Sequence, residues 1–339
     1  YEIKASTKAK PEHEYDLAFQ AAVLEGSGLK VRNISVIHVN NQYVRNGEIK
    51  ADQITSFTDI TEQVRAKGIA TQKHMAQAIL VAQSPTMPDP DPSLAKLGSK
   101  NDWMPIYQNI VGKNEETESK HTEPKIDKES IKQFLGELEY PLYFLDYETM
   151  SGLIPYFEGH RPYQQVPFQY SLHILESPDA ELTQKEYLHR DNSDPSRPLT
   201  EQLIQDIGTK GSVIVWFEGF EKARNTELGE MLPEYKEAME GINSRVVDLM
   251  IPFKLKWYDD SRFNGSASIK QVLPVLCPHL SYKELGIQEG GSAQRLWMEA
   301  ILDEKRADQK DQILDDLIEY CGLDTLAMVE IYNCLKELV

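Results

Sequence analysis

The 339-residue sequence is poor in cysteine, in positive charge and in long apolar stretches. Its three cysteines, Cys277, Cys321 and Cys334, form no C-x-x-C pair and have no histidine at zinc-site spacing, which excludes a structural metal-thiolate site. The net charge of −18 argues against a basic surface for non-specific binding to duplex DNA. No segment approaches the roughly 18 apolar residues of a membrane helix. We therefore expect a reduced, cytoplasmic protein with no membrane partner.

Two carboxylates, Asp146 and Glu148, stand at the end of an apolar run that reads as a central strand. Side chains on a strand alternate between its faces, so these two acids emerge on the same side. Hard cations such as Mg²⁺ prefer carboxylate oxygen, and a pair of ions can stabilise both oxygens of an in-line displacement at phosphorus. An Asp-x-Glu pattern alone is also compatible with solvated acids at a strand end.

A second pair of candidates, Tyr320 and Asp324, lies in a segment with helical periodicity from about residue 309 to residue 338. Residues four apart share one helix face, so their side chains point together. Cys321, which lies between them, is interpreted as a small apolar residue of the helix.

Residues 140–339 resemble the DEDDy class of 3′-to-5′ exonucleases on the DnaQ-like ribonuclease H fold. The resemblance rests on F-L-D-Y-E-T, P-F-Q-Y-S-L-H, G-S-A-S-I-K and Y-C-G-L-D-T, and within the class it points to an uncharacterised bacterial domain fused behind RecB-like nuclease domains. It implies metal-dependent phosphodiester hydrolysis at a 3′ end, with two Mg²⁺ or Mn²⁺ ions held by Asp146, Glu148 and Asp324. Tyr320 would orient the attacking water.

The sequence departs from this family at one further ligand, an aspartate on the helix after the fourth strand. Glu221 is the best aligned carboxylate and is taken as the fourth metal ligand; a plain glutamate of the helix surface, or Asp248 as a substitute, stays open. Lys270 is a candidate for contact with a substrate phosphate. A surface lysine after a helix-capping serine explains it equally well.

Histidines and aromatics near these motifs admit a structural and a functional interpretation. The histidines are either packed side chains or general bases, and the aromatics either belong to the core or stack an unpaired base. The residues concerned are His160, His173 and His189, and Tyr156, Phe157, Tyr163 and Phe168.

The first 60 or so residues resemble the RecB-like branch of PD-(D/E)xK nucleases. Glu2 and Lys4 lie on one face of a predicted strand, and Gln20 lies on the predicted helix 14–25 that follows. The aspartate that such nucleases carry upstream has no counterpart, and the cysteine cluster that many of them use for an iron-sulfur centre is absent. We therefore expect a fragment of a nuclease domain that has no iron-sulfur cluster and cannot cut by itself. An exposed strand edge with opposite charges remains the alternative for Glu2 and Lys4.

These patterns predict an α/β protein: a ribonuclease-H-like mixed sheet flanked by helices, preceded by a smaller, truncated PD-(D/E)xK-like α/β domain. The predicted boundaries are 1–112 for the first domain, 113–130 for a polar linker and 131–339 for the second domain. Further predicted elements are strand 31–39, an extended piece at 42–45, helix 58–80, helix 128–138, strands 166–175, 186–189, 212–217 and 246–249, and helices 199–207 and 218–231.

The sequence predicts a metal-dependent 3′-to-5′ exonuclease that acts in DNA repair. Its expected substrate is single-stranded or frayed DNA, with RNA as the alternative. Two alternatives stay open. One is a catalytically silent module that binds nucleic acid or protein, and the other is a phosphoesterase that acts on a nucleotide or a small phosphate.

Overall fold

The computed structural model describes residues 1–86 and 123–339, which form two compact units. The N-terminal unit comprises 1–86 together with Leu153–Tyr163, and the C-terminal unit comprises 123–152 and 164–339. The segment Leu153–Tyr163 was expected in the second domain. Its backbone instead pairs with Arg45, which donates to the carbonyl of His160 and accepts from the amide of Gly159, each at 2.9 Å.

The predicted linker differs from the structure where the two overlap. Its part at 113–122 lies outside the described residues. Its remaining part is ordered, because strand β4 occupies Lys125–Ile126 and a helix begins at Lys128. Asp127 caps this helix by accepting from the amide of Ser130 at 3.1 Å, which explains why a polar run ends in regular structure.

The N-terminal unit is a three-stranded sheet with helices on one face. Strands β1 and β2 are parallel, as the predicted strand-helix-strand order requires, and β3 is antiparallel to β2. The elements in chain order are β1 (Glu2–Ile3), α1 (Pro11–Gly26), β2 (Ser35–Val39), α2 (Ala51–Ile54), β3 (Thr55–Asp59) and α3 (Thr61–Ala82).

Three predictions for this unit differ from the structure in detail. The strand expected at 31–39 begins at Ser35. The helix expected from residue 58 begins at Thr61, since Thr55–Asp59 pairs with β2 as a strand. The extended piece expected at 42–45 has no regular structure. The core lies between the sheet and helices α1 and α3, with Val36 and Val64 fully or almost fully buried.

The C-terminal unit contains a five-stranded mixed sheet in the order β7-β6-β5-β8-β9. Strands β5, β6 and β7 form an antiparallel meander, while β8 pairs parallel to β5 and β9 parallel to β8. The strands are β5 (Leu142–Met150), β6 (Val166–Leu175), β7 (Thr183–Leu188), β8 (Ser212–Val215) and β9 (Val246–Asp248). The predicted meander followed by parallel strands is therefore confirmed.

Helices cover both faces of this sheet. They are α4 (Lys128–Gly136), α5 (Ser196–Asp206), α6 (Glu218–Met231), α7 (Lys236–Asn243), α8 (Ile251–Lys254), α9 (Ile269–Leu276), α10 (Gly290–Trp297) and α11 (Lys310–Glu337), with a short π-helix at Met298–Leu302. A small strand, β10 (Tyr258–Asp259), pairs with β4. Among the described residues, no helix combines the length and the apolar character needed to cross a bilayer.

Strand β5 is the centre of the C-terminal unit because both of its faces are buried. Phe144 packs with the helix α11 side chains Met328 and Ile331 in one core cluster. Leu145 and Tyr147 face the other way and pack with residues of α5 and α6. Because both faces of β5 are buried, its polar side chains can reach a site only near an end of the strand. Asp146 and Glu148 lie towards the carboxyl end.

Candidate metal centre

Three carboxylates from distant parts of the sequence meet in the C-terminal unit. Asp146 and Glu148 lie near the end of β5, and Asp324 lies in α11. One carboxylate oxygen from each of them lies within 4.8 Å of the others. The structure thus brings together the two motifs that the sequence singled out, while their metal-binding role stays a prediction.

Polar contacts between β6 and α11 determine how the helix lies across the sheet. Gln169, Ser171 and His173 alternate along β6 on the face that carries Asp146 and Glu148. The side-chain amide of Gln169 donates to the carbonyl of Leu317 at 2.9 Å, and the Thr325 hydroxyl lies 2.8 Å from the Ser171 hydroxyl and 2.7 Å from His173 Nδ1. These buried contacts fix the register of α11 and so place Asp324 opposite β5.

Burial disfavours the ionised form of all three acids, and repulsion by neighbouring carboxylates adds to this effect for Asp146 and Glu148. Burial, and then the Asp324 carboxylate, raise the pKa of Asp146 well above its ordinary value. Burial and the charge of Asp146 do the same to the pKa of Glu148. Burial raises the pKa of Asp324 to about 6, although a hydrogen bond from Tyr282 and the nearby Lys270 oppose this shift. A cation among the three would relieve the repulsion, because it gives the charged forms a partner.

Glu221, the predicted fourth ligand, lies in the first turn of α6 and is only 2% exposed. It does not belong to the group of three, but burial and the charge of Asp146 raise its pKa well above the ordinary value, while Arg224 opposes the shift. Its Oε2 has no hydrogen-bond partner among the residues that the structure describes. The alternative of a plain helix-surface glutamate is therefore wrong.

Asp248 was the other candidate for the fourth ligand, and its contacts are structural. It is 4% exposed, and its Oδ1 accepts from the backbone amides of Phe217 and Met250, each at 3.0 Å. Phe217 has a left-handed backbone with a φ of 83°, a conformation that residues other than glycine seldom adopt. Asp248 thus stabilises the turn that leads into α6.

Tyr320 and Lys270 contact each other beside the carboxylates. Lys270 Nζ lies 3.3 Å from Tyr320 Oη and 2.8 Å from the carbonyl oxygen of Gln288, to which it donates. Burial and the charge of Asp324 raise the pKa of Tyr320 above its ordinary value, so its hydroxyl remains protonated at neutral pH. Lys270 is half-buried and engaged, which the surface-lysine alternative did not anticipate.

Sequence reasoning missed one residue of this site, Tyr282. Its hydroxyl donates to Asp324 Oδ1 at 2.7 Å, and its ring lies 6.0 Å from that of Tyr320. Tyr282 lies in a short 3₁₀ turn at Tyr282–Glu284. An isolated tyrosine in a segment without periodicity carries no signal that could have identified it from the sequence.

Cys321 occupies the buried side of the site. It is fully buried, and its Sγ lies 3.8 Å from the carbonyl oxygen of Asp146 and 3.9 Å from Asp146 Oδ2. Burial and the charge of Asp146 raise the pKa of the thiol well above its ordinary value. The interpretation as a small buried residue agrees with this placement, because a thiol that stays protonated is a poor nucleophile.

The candidates in the N-terminal unit also lie together. Lys4 Nζ pairs with Glu2 Oε1 at 3.0 Å and with Asp16 Oδ2 at 2.5 Å, and Gln20 donates to Asp16 Oδ1 at 3.2 Å. Asp16, which sequence analysis missed, is therefore the link between Lys4 and Gln20. Among residues 1–86 and 153–163, no three acidic, histidine or cysteine side chains come close enough to hold a metal ion.

The histidines have packing or hydrogen-bonding partners. Burial lowers the pKa of His173 to about 4, so this side chain is neutral at physiological pH. His189 is 5% exposed and contacts the hydroxyls of Tyr187 and Ser193. His160 lies edge-on to Phe157 in the N-terminal unit. These contacts favour the structural interpretation for all three.

The aromatic candidates lie in different units. Phe168 is fully buried and stacks on Trp297 with the ring centroids 4.5 Å apart, so it belongs to the core of the C-terminal unit. Tyr156, Phe157 and Tyr163 belong to the segment that packs with the N-terminal unit.

Comparison with known proteins identifies relatives without a described activity. The Uncharacterized protein MG366 of Mycoplasma genitalium is 26% identical over 229 residues, which cover 62% of this chain and 34% of that protein. The Uncharacterized protein MG366 homolog of Mycoplasma pneumoniae is 26% identical over 220 residues, which cover 59% and 33%. The chain thus spans about a third of the length of these relatives. No solved structure matches it. Residues 143–268, which include Asp146, Glu148 and Glu221, are similar to the family described as Domain of unknown function (DUF2779).

Proposed function

We propose that this chain is a metal-dependent nuclease that removes nucleotides from the 3′ end of single-stranded or frayed DNA. The observation that carries the proposal is the convergence of Asp146, Glu148 and Asp324 within 4.8 Å, next to Tyr320 and the buried Glu221. The motifs that supply Asp146, Glu148, Tyr320 and Asp324 resemble those of the DEDDy exonucleases and follow the same order along the chain.

The architecture of the C-terminal unit supports the same proposal. Its central strand carries two acids, with an antiparallel meander on one side and parallel strands on the other. This order of strands is the one expected of a ribonuclease-H-like domain, and it supports the proposal. Fold alone does not determine function. The argument for a nuclease therefore depends on the side chains.

The donor atoms fit Mg²⁺ or Mn²⁺. All three converging groups are carboxylates, which hard divalent cations prefer, and neither a thiolate nor an imidazole belongs to the group. Glu221 Oε2 is buried without a partner, and a buried acid in that state is costly unless a cation or donor satisfies it. Asp146, Glu148, Asp324 and Glu221 would hold the ions, which when bound lower the pKa of water and neutralise charge on the phosphate.

The remaining residues of the site have roles that follow from their contacts. Tyr320 keeps its proton and is held by Lys270, so it can orient a water molecule at the scissile phosphate by a hydrogen bond. Lys270 contributes the positive charge that offsets part of the negative charge of the carboxylates and of the phosphate. The Glu2, Lys4 and Gln20 cluster of the N-terminal unit is not proposed as a second cutting site, because it lacks a third metal-ligating side chain.

Degradation of a 3′-labelled oligonucleotide tests the proposal. Single-stranded DNA labelled at its 5′ end, and a second sample labelled at its 3′ end, are incubated with the full chain and Mn²⁺ or Mg²⁺, and the products are separated on a gel. Release of labelled mononucleotide from the 3′ end, with a ladder from the 5′-labelled strand, is expected. Asp146→Ala and Asp324→Asn should abolish both, whereas Asp315→Asn, on an exposed position of the same helix, should leave them unchanged.

Other outcomes identify the alternatives. Binding of the oligonucleotide without cleavage by the wild-type chain would indicate a catalytically silent module. If the chain cleaves mononucleotides and added oligonucleotides do not inhibit that cleavage, the result would indicate a phosphoesterase. Faster degradation of RNA than of DNA would assign the substrate to RNA.

A further inference from the structure

We propose that Tyr282 is a positioning residue that sets the orientation of Asp324 and of Lys270 in the candidate metal centre. The inference rests on the proposed function of that centre, and it assigns a role to a residue that neither the sequence motifs nor the family resemblance includes. Tyr282 lies outside residues 143–268, the part of the chain with family similarity.

The hydroxyl of Tyr282 determines which oxygen of Asp324 is available. It donates to Asp324 Oδ1 at 2.7 Å. The carboxylate of an aspartate otherwise rotates broadly about its last torsion angle. A hydrogen bond to one oxygen holds the plane of the group and leaves Oδ2 for another partner. Asp324 is 8% exposed and faces two further carboxylates, so this donor fixes the group against their repulsion.

The ring of Tyr282 contributes to the position of Lys270. Lys270 Nζ lies 5.4 Å from the ring centre of Tyr282 and 5.5 Å from that of Tyr320, within the range of a cation–π contact. A lysine ammonium has three N–H groups, and the contacts with Gln288 and Tyr320 account for two of them. Because Lys270 donates to the oxygen of Tyr320, the hydrogen of the Tyr320 hydroxyl is directed to a different acceptor.

Local hydrogen bonds hold the turn that carries Tyr282. Ser281 Oγ accepts from the amide of Lys283 at 3.2 Å, and the Gln288 side chain donates to the carbonyls of Lys283 and Leu285 at 3.0 and 3.3 Å. The carbonyl of Gln288 is also the acceptor for Lys270. One residue thus connects the turn of Tyr282 with the lysine that contacts Tyr320. Hydrogen bonds therefore hold the turn in place beside both Asp324 and Lys270.

Two substitutions separate the contributions of the hydroxyl and of the ring. Tyr282→Phe removes the donor and keeps the ring, so it should weaken Mn²⁺ binding about 10- to 100-fold, as is usual for loss of a hydrogen bond to a metal ligand. Tyr282→Leu removes both and should, in addition, lower the turnover of single-stranded DNA at saturating Mn²⁺. Tyr235→Phe is the matched control, because Tyr235 donates to Glu201 at the same distance of 2.7 Å away from the site.

Mn²⁺ binding is measured by calorimetry on the full chain, which requires no activity, and turnover is measured with labelled oligonucleotide. Urea midpoints show whether each variant is folded. Unchanged Mn²⁺ affinity in a folded Tyr282→Phe variant, with a wild-type protein that binds Mn²⁺ and cleaves, would overturn the positioning role alone. A wild-type protein that binds no Mn²⁺ would overturn this inference and the proposed function together. Equal losses in Tyr282→Phe and Tyr235→Phe would also contradict a specific role.

Discussion

Removal of the Asp324 charge should stabilise the protein in the absence of metal. Burial raises the pKa of Asp324 from 3.8 to about 6, so the folded state favours the protonated acid more than the unfolded chain does. The contribution of Asp324 to stability is therefore complete below pH 3.8 and is lost as the pH rises to about 6. Asparagine has nearly the same shape, carries no charge and retains an oxygen that accepts from Tyr282.

The expected size follows from the pKa difference. The shift from 3.8 to about 6 is roughly two pKa units, and each unit corresponds to about 1.4 kcal/mol. Asp324→Asn should therefore raise the free energy of unfolding by up to about 3 kcal/mol above pH 7, and the gain should disappear near pH 4. The substitution also removes the repulsion by which the charge of Asp324 raises the pKa of Asp146. This second effect stabilises the variant as well.

Urea unfolding in the presence of EDTA measures this difference. Three of the four tryptophans, Trp216, Trp257 and Trp297, belong to the C-terminal unit, so their fluorescence reports its unfolding. Asp315→Asn serves as the control for loss of an exposed charge on the same helix. Added Mn²⁺ should stabilise the wild-type protein more than the variant. If Asp324→Asn is no more stable than the wild type above pH 7, then burial does not disfavour the charged form of Asp324 and the reasoning fails.

Three further predictions concern other residues of the C-terminal unit. Glu221→Gln should also stabilise the metal-free protein and should weaken Mn²⁺ binding in calorimetry, whereas Glu218→Gln in the same turn of α6 should do neither. Asp248→Ala should lower the free energy of unfolding by about 1–3 kcal/mol, because two backbone amides lose their acceptor; a parallel loss of Mn²⁺ affinity would identify it as a ligand. Phe144→Ala should cost about 3–5 kcal/mol in urea unfolding, since the side chain is fully buried, and a much smaller loss would mean that the core around β5 collapses into the cavity.

The elements that sequence patterns predicted best are those that build the metal centre. Strand β6 and helix α6 begin and end at the predicted residues, and α11 differs by one residue at each end. Strand β6 is rich in apolar residues and α11 carries an apolar stripe, so burial of their side chains determines their structure. Helix α6 is mostly polar and carries no comparable stripe. Asp146 and Asp324 could be paired from the sequence only because the order of motifs resembles a known family, since spacing alone does not bring two distant segments together.

The elements that the sequence did not predict have weak or contradictory patterns. Strand β3 consists of Thr-Ser-Phe-Thr-Asp, which is mostly polar, and its place depends on pairing with β2. Helix α9 contains Pro274, and α10 begins with two glycines, so both violate the usual signals for a helix. Tertiary packing determines the structure of such segments. The turn at Tyr282, between these two helices, was missed for the same reason.

The distance in sequence between β5 and α11 has a consequence for biosynthesis. Cys321, which precedes Asp324 in α11, follows Asp146 by 175 positions, and a ribosome makes the chain in order. Asp146 and Glu148 therefore leave the ribosome long before Asp324 exists, and the group of three carboxylates forms only when α11 docks on β6. A nascent chain that has not yet released α11 lacks the third carboxylate, so any chemistry of this centre begins only after translation has passed α11.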